Sequence, residues 1–187
     1  RDEYRELLDL VDDDFLKEQI ERRIAGVSMS GGDQEMAAGT KPSKGYYRDA
    51  INSYIDILEK YPNSPDNAEV LYQLSKAYEM EGEPKNAEIM LNRLVTLHPD
   101  YKDIAEAHFR LGDINFNNQN YRAAEEHYRF VTTSSADNLK LNAHYMLSWA
   151  LYKRALFDDA LESFAFVLDS VLDEQATRTL TKAEKPL

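Results

Sequence analysis

The chain has 187 residues, with Lys+Arg 22 against Asp+Glu 34, a formal charge of -12, 43% hydrophobic residues and no cysteine. That acidity opposes binding to nucleic acid, the missing cysteines exclude disulfides, thiolate nucleophiles and cysteine metal sites, and no apolar run approaches the ~20 residues of a membrane span. The length suits one domain or one continuous array of small units, and a start at Arg1 with no signal peptide reads as an excised or processed fragment.

Residues 2–10, DEYRELLDL, read as a short helix, the second of a pair whose first is missing. Asp12-Asp13-Asp14 then lead into FLKEQIERRIAGV at 15–27. Acids there favour a helix N-terminus, whereas a calcium loop needs alternating oxygen ligands and a closing Glu, which do not follow. Residues 27–45 hold Gly31, Gly32, Gly39, Pro42 and Gly45 without a sustained period, which predicts an inserted loop with little packing. Gly31-Gly32 lack the following Gly-Lys-Ser/Thr of a phosphate loop, and Ser28, Ser30 and Ser43 have no His/Asp partners in sequence.

Helical patterning resumes with YYRDAINSYIDILEKYP at 46–62. In 68–80 the apolar residues Ala68, Leu71, Tyr72, Leu74, Ala77 and Tyr78 fall mainly at spacings of three and four. The stretch 86–97 carries Ala87, Ile89, Met90, Leu91, Leu94, Val95 and Leu97. Gly82 with Pro84 ends the first of these helices and Pro99 the second. Turns are expected near 82–84, 117–120 and 155–157, and no stretch alternates as a strand would, so the fold class is all-α.

The helix pairs repeat. Ala50, Ala87, Ala124 and Ala160 follow one another at intervals of 37, 37 and 36 residues. Each is followed four residues later by Tyr54, Leu91, Tyr128 or Phe164, and three further on by Ile57, Leu94, Val131 or Val167. A small residue lets two helices approach, and large ones fill the space beside it. The first helices repeat as well. Leu71-x-x-Leu74-Ser75, His108-x-x-Leu111-Gly112 and His144-x-x-Leu147-Ser148 each place a small residue at a helix crossing.

This pattern resembles the tetratricopeptide repeat family, a helix–turn–helix unit with small and aromatic anchors at fixed places. The resemblance implies a right-handed superhelical solenoid of antiparallel helix pairs: a split repeat at 15–62 interrupted by the loop 27–45, repeats at 66–99, 103–136 and 139–172, and a truncated C-terminal segment at 173–187. Leu71, His108 and His144 stand where the family's tryptophan usually does, and Asn115 where a tyrosine is usual. The long period and EKYPNSPDNAEVLYQLSKAYEMEG resemble the variant in bacterial cell-envelope proteins, such as outer-membrane assembly lipoproteins and proteins working beside Tol–Pal. That implies a periplasmic or cell-envelope setting, with the cytoplasm left open.

No catalytic, cofactor or metal site emerges. His98, His108, His127 and His144 include no i,i+4 pair on one helix, and read as half-buried packing residues. The 34 acids single out no catalytic pair. In this repeat class the first helices line a concave surface, which here implies Tyr72, Lys76, Glu79, Phe109, Asp113, Phe116, Tyr145, Trp149, Tyr152 and Lys153 as a peptide-binding stripe. The function expected is a non-enzymatic scaffold that binds a protein or peptide partner, not nucleic acid. A structural or oligomerisation adaptor, self-associating through its ends, is the alternative, and an accessory domain of an enzyme the weaker one.

Overall fold

The computed structural model describes residues 2–37 and 45–183. Among them are nine helices and no strand, arranged as consecutive antiparallel pairs. The helices fall into two compact units, residues 1–102 and 103–187.

The first unit contains α1 (Asp2–Leu10), α2 (Asp14–Ala37), α3 (Arg48–Lys60), α4 (Asn67–Met80) and α5 (Pro84–Leu97). Its core gathers Ala25, Ala50 and Ala77 with Met29, Tyr47, Ile51, Tyr54, Ile57, Val70 and Leu74. The buried alanines are the close-approach points, and the large side chains fill the grooves beside them. A polar staple reinforces this core. Arg22 on α2 pairs with Glu18 and donates to Ser64 Oγ, Asn67 Oδ1 and the Asp66 carbonyl, fastening the turn before α4 to α2. The Glu81 carboxylate, just past the end of α4, accepts from the backbone N–H groups of Gly45 and Tyr47 at 2.9 and 2.7 Å, serving the approach to α3.

The expected loop at 27–45 is helical in its first part, because α2 continues to Ala37. Met29 supplies the reason: it is buried in the core cluster with Tyr47, Ala50 and Tyr54, and tertiary burial outweighs the poor helix propensity of the surrounding Gly and Ser. Ser28 and Ser30 satisfy their hydroxyls on the carbonyls of Ile24 and Val27. Residues 38–44 lie outside the described residues.

The second unit contains α6 (Ile104–Asn117), α7 (Tyr121–Thr133), α8 (Asp137–Lys153) and α9 (Phe157–Ala183). Ala124, Tyr128, Leu147, Ala150, Leu151 and Ala160 form its core cluster. A close approach occurs at Gly112, where an added Cβ would stand 2.5 Å from the Tyr128 ring. That ring is fixed by its hydroxyl, which donates to Asp113 Oδ1 at 2.6 Å. The segment expected to follow the last pair from 173 is instead the continuation of α9, in which no glycine or proline interrupts 157–183.

Three first helices end in the same way. Gly82, Gln119 and Ala155 have φ of 79°, 63° and 60°, the left-handed region. The next residues, Glu83, Asn120 and Leu156, donate N–H to the carbonyls of Tyr78, Asn115 and Leu151 at 2.8, 2.8 and 3.0 Å. This is the bond that closes a helix C-terminus through a left-handed residue. Gly82 adopts that conformation freely, whereas Gln119 and Ala155 bear the Cβ–carbonyl conflict. Two substitutions should therefore act in opposite directions in thermal or denaturant melts. Gly112→Ala should destabilise by roughly 1–3 kcal/mol through overpacking against Tyr128. Ala155→Gly should be neutral to stabilising, by up to about 1 kcal/mol, since relief of the conflict exceeds the entropy that glycine adds to the unfolded chain. Destabilisation by Ala155→Gly would contradict the strain.

Candidate functional site

The ten residues of the expected stripe do not share one environment. Tyr72 is only 6% exposed. Its ring lies 5.8 Å from that of Tyr101, and Lys76 Nζ sits 5.9 Å above it. The cause is the Asp100-Tyr101-Lys102 segment, the extra residues of the long repeat, which folds back onto α4. Tyr101 donates its hydroxyl to Glu69 Oε2 at 2.9 Å, and Lys102 Nζ lies 3.4 Å from the same oxygen. Burial alone would raise the Glu69 pKa, but hydrogen bonds from Gln73 and Tyr101 and the charge of Lys102 outweigh it and hold the carboxyl below its ordinary value.

Glu79 is partly exposed. Phe109 and Phe116 are half-buried and packed against the second unit's core, Phe109 edge-on to Tyr128 and Phe116 edge-on to Tyr121. Asp113 holds the Tyr128 hydroxyl; with that bond and burial, the Tyr128 phenol stays protonated far above its ordinary pKa. Tyr145, Trp149, Tyr152 and Lys153 are exposed. The first three form an edge-to-face ladder, with Tyr145–Trp149 and Trp149–Tyr152 centroids 6.3 and 5.9 Å apart.

Two equivalent grooves run between first helices, one in each unit. In the first unit, α2 and α4 border a groove of about 690 Å3, with Arg23, Gly26 and Ser30 facing Glu69, Gln73 and Lys76. In the second, α6 and α8 border one of about 390 Å3, with Phe109, Asp113 and Asn117 facing Asn142, Tyr145 and Met146. With Ile24-Ala25 set on Leu111-Gly112, the positions Arg22, Gly26 and Ser30 correspond to Phe109, Asp113 and Asn117. Gly26 has open space where a Cβ would stand, so this glycine widens the groove rather than permitting a close contact. Of the expected stripe, Lys76, Phe109, Asp113 and Tyr145 line these grooves. Sequence reasoning missed Arg23, Glu69, Gln73 and Asn142, although the i, i+4, i+7 spacing of 69, 73 and 76 was available to find three of the lining positions.

The histidines are packing residues with an additional contact. His108 on α6 stacks on Phe130 of α7 with centroids 3.8 Å apart, and its Nδ1 lies 3.0 Å from His127 Nδ1. His144 repeats the arrangement, stacked 3.9 Å from Phe166 with Nδ1 3.2 Å from Ser163 Oγ. The Nδ1–Nδ1 contact requires one nitrogen to donate and the other to accept, so the accepting ring is neutral and the two rings are not both charged. Burial, and then the charge of His127, pushes His108 down to about 4. Burial also lowers His127 and His144. Among the described residues no group of three His, Cys, Asp or Glu is placed to hold a metal ion, and no helix is long and apolar enough to cross a membrane.

A family model, YfiO, described as an outer membrane lipoprotein, matches residues 36–155. The chain belongs to this family. Two crystal structures of MamA superpose with TM-scores of 0.57 and 0.58, at 26% and 25% sequence identity, covering 74% and 78% of this chain and 72% of each MamA chain. The MamA RS-1 ArsTM double mutant superposes with a TM-score of 0.58 at 17% identity, covering 78% of this chain and 74% of that one, and shows the shared fold. No curated protein sequence matches the chain. Family and fold together assign a non-enzymatic protein-interaction role.

The histidine pair gives a pH prediction. His108 has a folded pKa of about 4 against an ordinary 6.5, so between those values the unfolded chain binds more protons. Its contribution to stability is complete above pH 6.5 and is lost as pH falls toward 4. Thermal melts across that window should show falling stability, with a shallower slope for His108→Phe. An unchanged slope in that variant would remove His108 from the account.

Proposed function

We propose that the chain is a cell-envelope scaffold that holds an extended peptide segment of a partner protein in the grooves between its first helices. The observation that supports this most is the recurrence of one groove at equivalent positions of both units, lined by an aromatic or aliphatic floor and a few polar groups. Such a surface suits a peptide: backbone and side-chain amides find Gln73, Asn117 and Asn142, while Tyr145 and Met146 offer apolar contact. Arg23 faces Glu69 and Lys76 across the first groove, so recognition rests on mixed charges rather than a uniformly basic or acidic ligand. The family's outer-membrane description favours the periplasmic side of the envelope as the place where this occurs.

Peptides selected from a random display library on the whole chain test the reading. Their affinities should fall at least about tenfold with Tyr145→Ala combined with Asn142→Ala, or with Arg23→Glu combined with Lys76→Ala, at unchanged helical content. Selected peptides that bind both variants as tightly as the parent would refute the groove assignment.

A further inference from the structure

The pairs α4–α5, α6–α7 and α8–α9 carry two equivalent positions 19 residues apart, one on each helix. They are Leu71 and Met90, then His108 and His127, then His144 and Ser163. In the first pair Leu71 is fully buried and Met90 partly buried, an apolar filling. Packing alone therefore does not call for imidazole at these places. The middle pair nevertheless sets two metal-ligating rings beside each other. Their centroids are 5.2 Å apart and their Nδ1 atoms 3.0 Å apart.

That separation has a chemical meaning. Two imidazole nitrogens bound to one ion at about 2.0–2.1 Å stand about 2.8–3.0 Å apart at a right angle and about 3.3–3.4 Å apart at a tetrahedral angle. The 3.0 Å between the two Nδ1 atoms is the bite of a right-angled chelate. The fold holds the rings at that bite. His108 is stacked on Phe130 with centroids 3.8 Å apart, and α6 meets α7 at the Gly112–Tyr128 crossing one helical turn further on. Both rings are half-buried rather than sealed, so water reaches them.

We propose that His108 and His127 form a two-histidine chelate for a divalent transition cation, copper(II) ahead of zinc(II), with water completing the coordination. The right-angled bite suits the tetragonal geometry of copper(II), which also binds nitrogen ligands more tightly than zinc(II) does. Zinc(II) takes the wider tetrahedral bite and requires the rings to part by about 0.3 Å. Magnesium and calcium, which take oxygen ligands, are not bound. Loading turns both rings so that their Nδ1 lone pairs meet at the ion instead of at a shared proton. In the neutral pair that proton passes from Nδ1 of the donor ring to its Nε2 through water, and none is released. The net charge of -12 favours the approach of a cation. The ion bridges α6 to α7 and stabilises the folded chain by mass action. Neither histidine lines the grooves between first helices, so the proposal stands apart from the peptide reading.

The test is a calorimetric titration of the whole chain, free of any polyhistidine tag, with copper(II) chloride, joined to electron paramagnetic resonance of the loaded protein. One equivalent should bind, with hyperfine lines from two nitrogen ligands. Thermal melts should rise with copper(II), rise less with zinc(II) and stay unchanged with magnesium(II). His127→Leu, an apolar filling like that of the first pair, should weaken copper binding at least about tenfold while leaving the circular dichroism spectrum unchanged. His144→Phe should leave the titration as it is. The third pair offers a gain of function, because His144 is stacked on Phe166 and its Nδ1 lies 3.2 Å from Ser163 Oγ. Ser163→His should therefore raise the stoichiometry to two. Absence of saturable copper binding overturns the proposal, as does His127→Leu binding as tightly as the parent or His144→Phe abolishing the site. A Ser163→His variant with the parent's circular dichroism spectrum that still binds one equivalent also overturns it, since the stacked geometry would then not be what makes the site.

Discussion

The close approach of paired helices at a few small residues is the constraint on which the rest depends. Ala87 and Ala124 are fully buried and Ala160 nearly so, and Gly112 admits the Tyr128 ring where no Cβ would fit. Once the two helices of a pair are that near, large residues on either side have one place to go, and the opposite faces of the first helices are left to border grooves. The interaction surfaces are by-products of this packing: their width is set by which residue stands beside the crossing. Gly26 gives a wide groove, and Asp113, committed to Tyr128, a narrower one.

Much of this was legible in the sequence because it is written in periodicity. The alanines at intervals of 37, 37 and 36, the small residues after Leu74, Leu111 and Leu147, and Gly82 with Pro84 correctly located pairs, crossings and turns. What escaped was whatever a distant segment decides. Residues 27–37 look like loop by composition, yet Met29 reaches a core built from α3 and α4. Tyr72 looks like a groove residue by its place after Leu71, yet Tyr101 closes over it from the inter-repeat segment. The His108–His127 contact crosses two antiparallel helices at a separation of 19, a spacing no single-helix pattern displays. Left-handed Gln119 and Ala155 were likewise invisible, since only the tight return between helices imposes that conformation on residues that resist it.

Electrostatics in this protein is mostly local bookkeeping within an acidic whole. Glu18, Glu69, Glu81 and Glu125 each face donors that fix a turn or a neighbouring helix, so these carboxylates act as fasteners rather than as a diffuse field. On α9, Asp159 adds a bridge of the same kind, lying 3.7 Å from Arg129 of α7.

The left-handed residues at 82, 119 and 155 have a consequence for how the chain reaches its fold. Each permits a return of only a few residues, so α4 meets α5, α6 meets α7 and α8 meets α9 after closing very small loops. Short loops carry little closure entropy, and contacts between sequence neighbours form on fast timescales. The pairing of α2 with α3 is different, because ten residues separate Ala37 from Arg48 and much of the shared core, from Met29 to Leu74, joins only when both helices and α4 are present. Assembly of the N-terminal unit is thereby the more cooperative event, and the compact returns make the other three pairs natural places for structure to start.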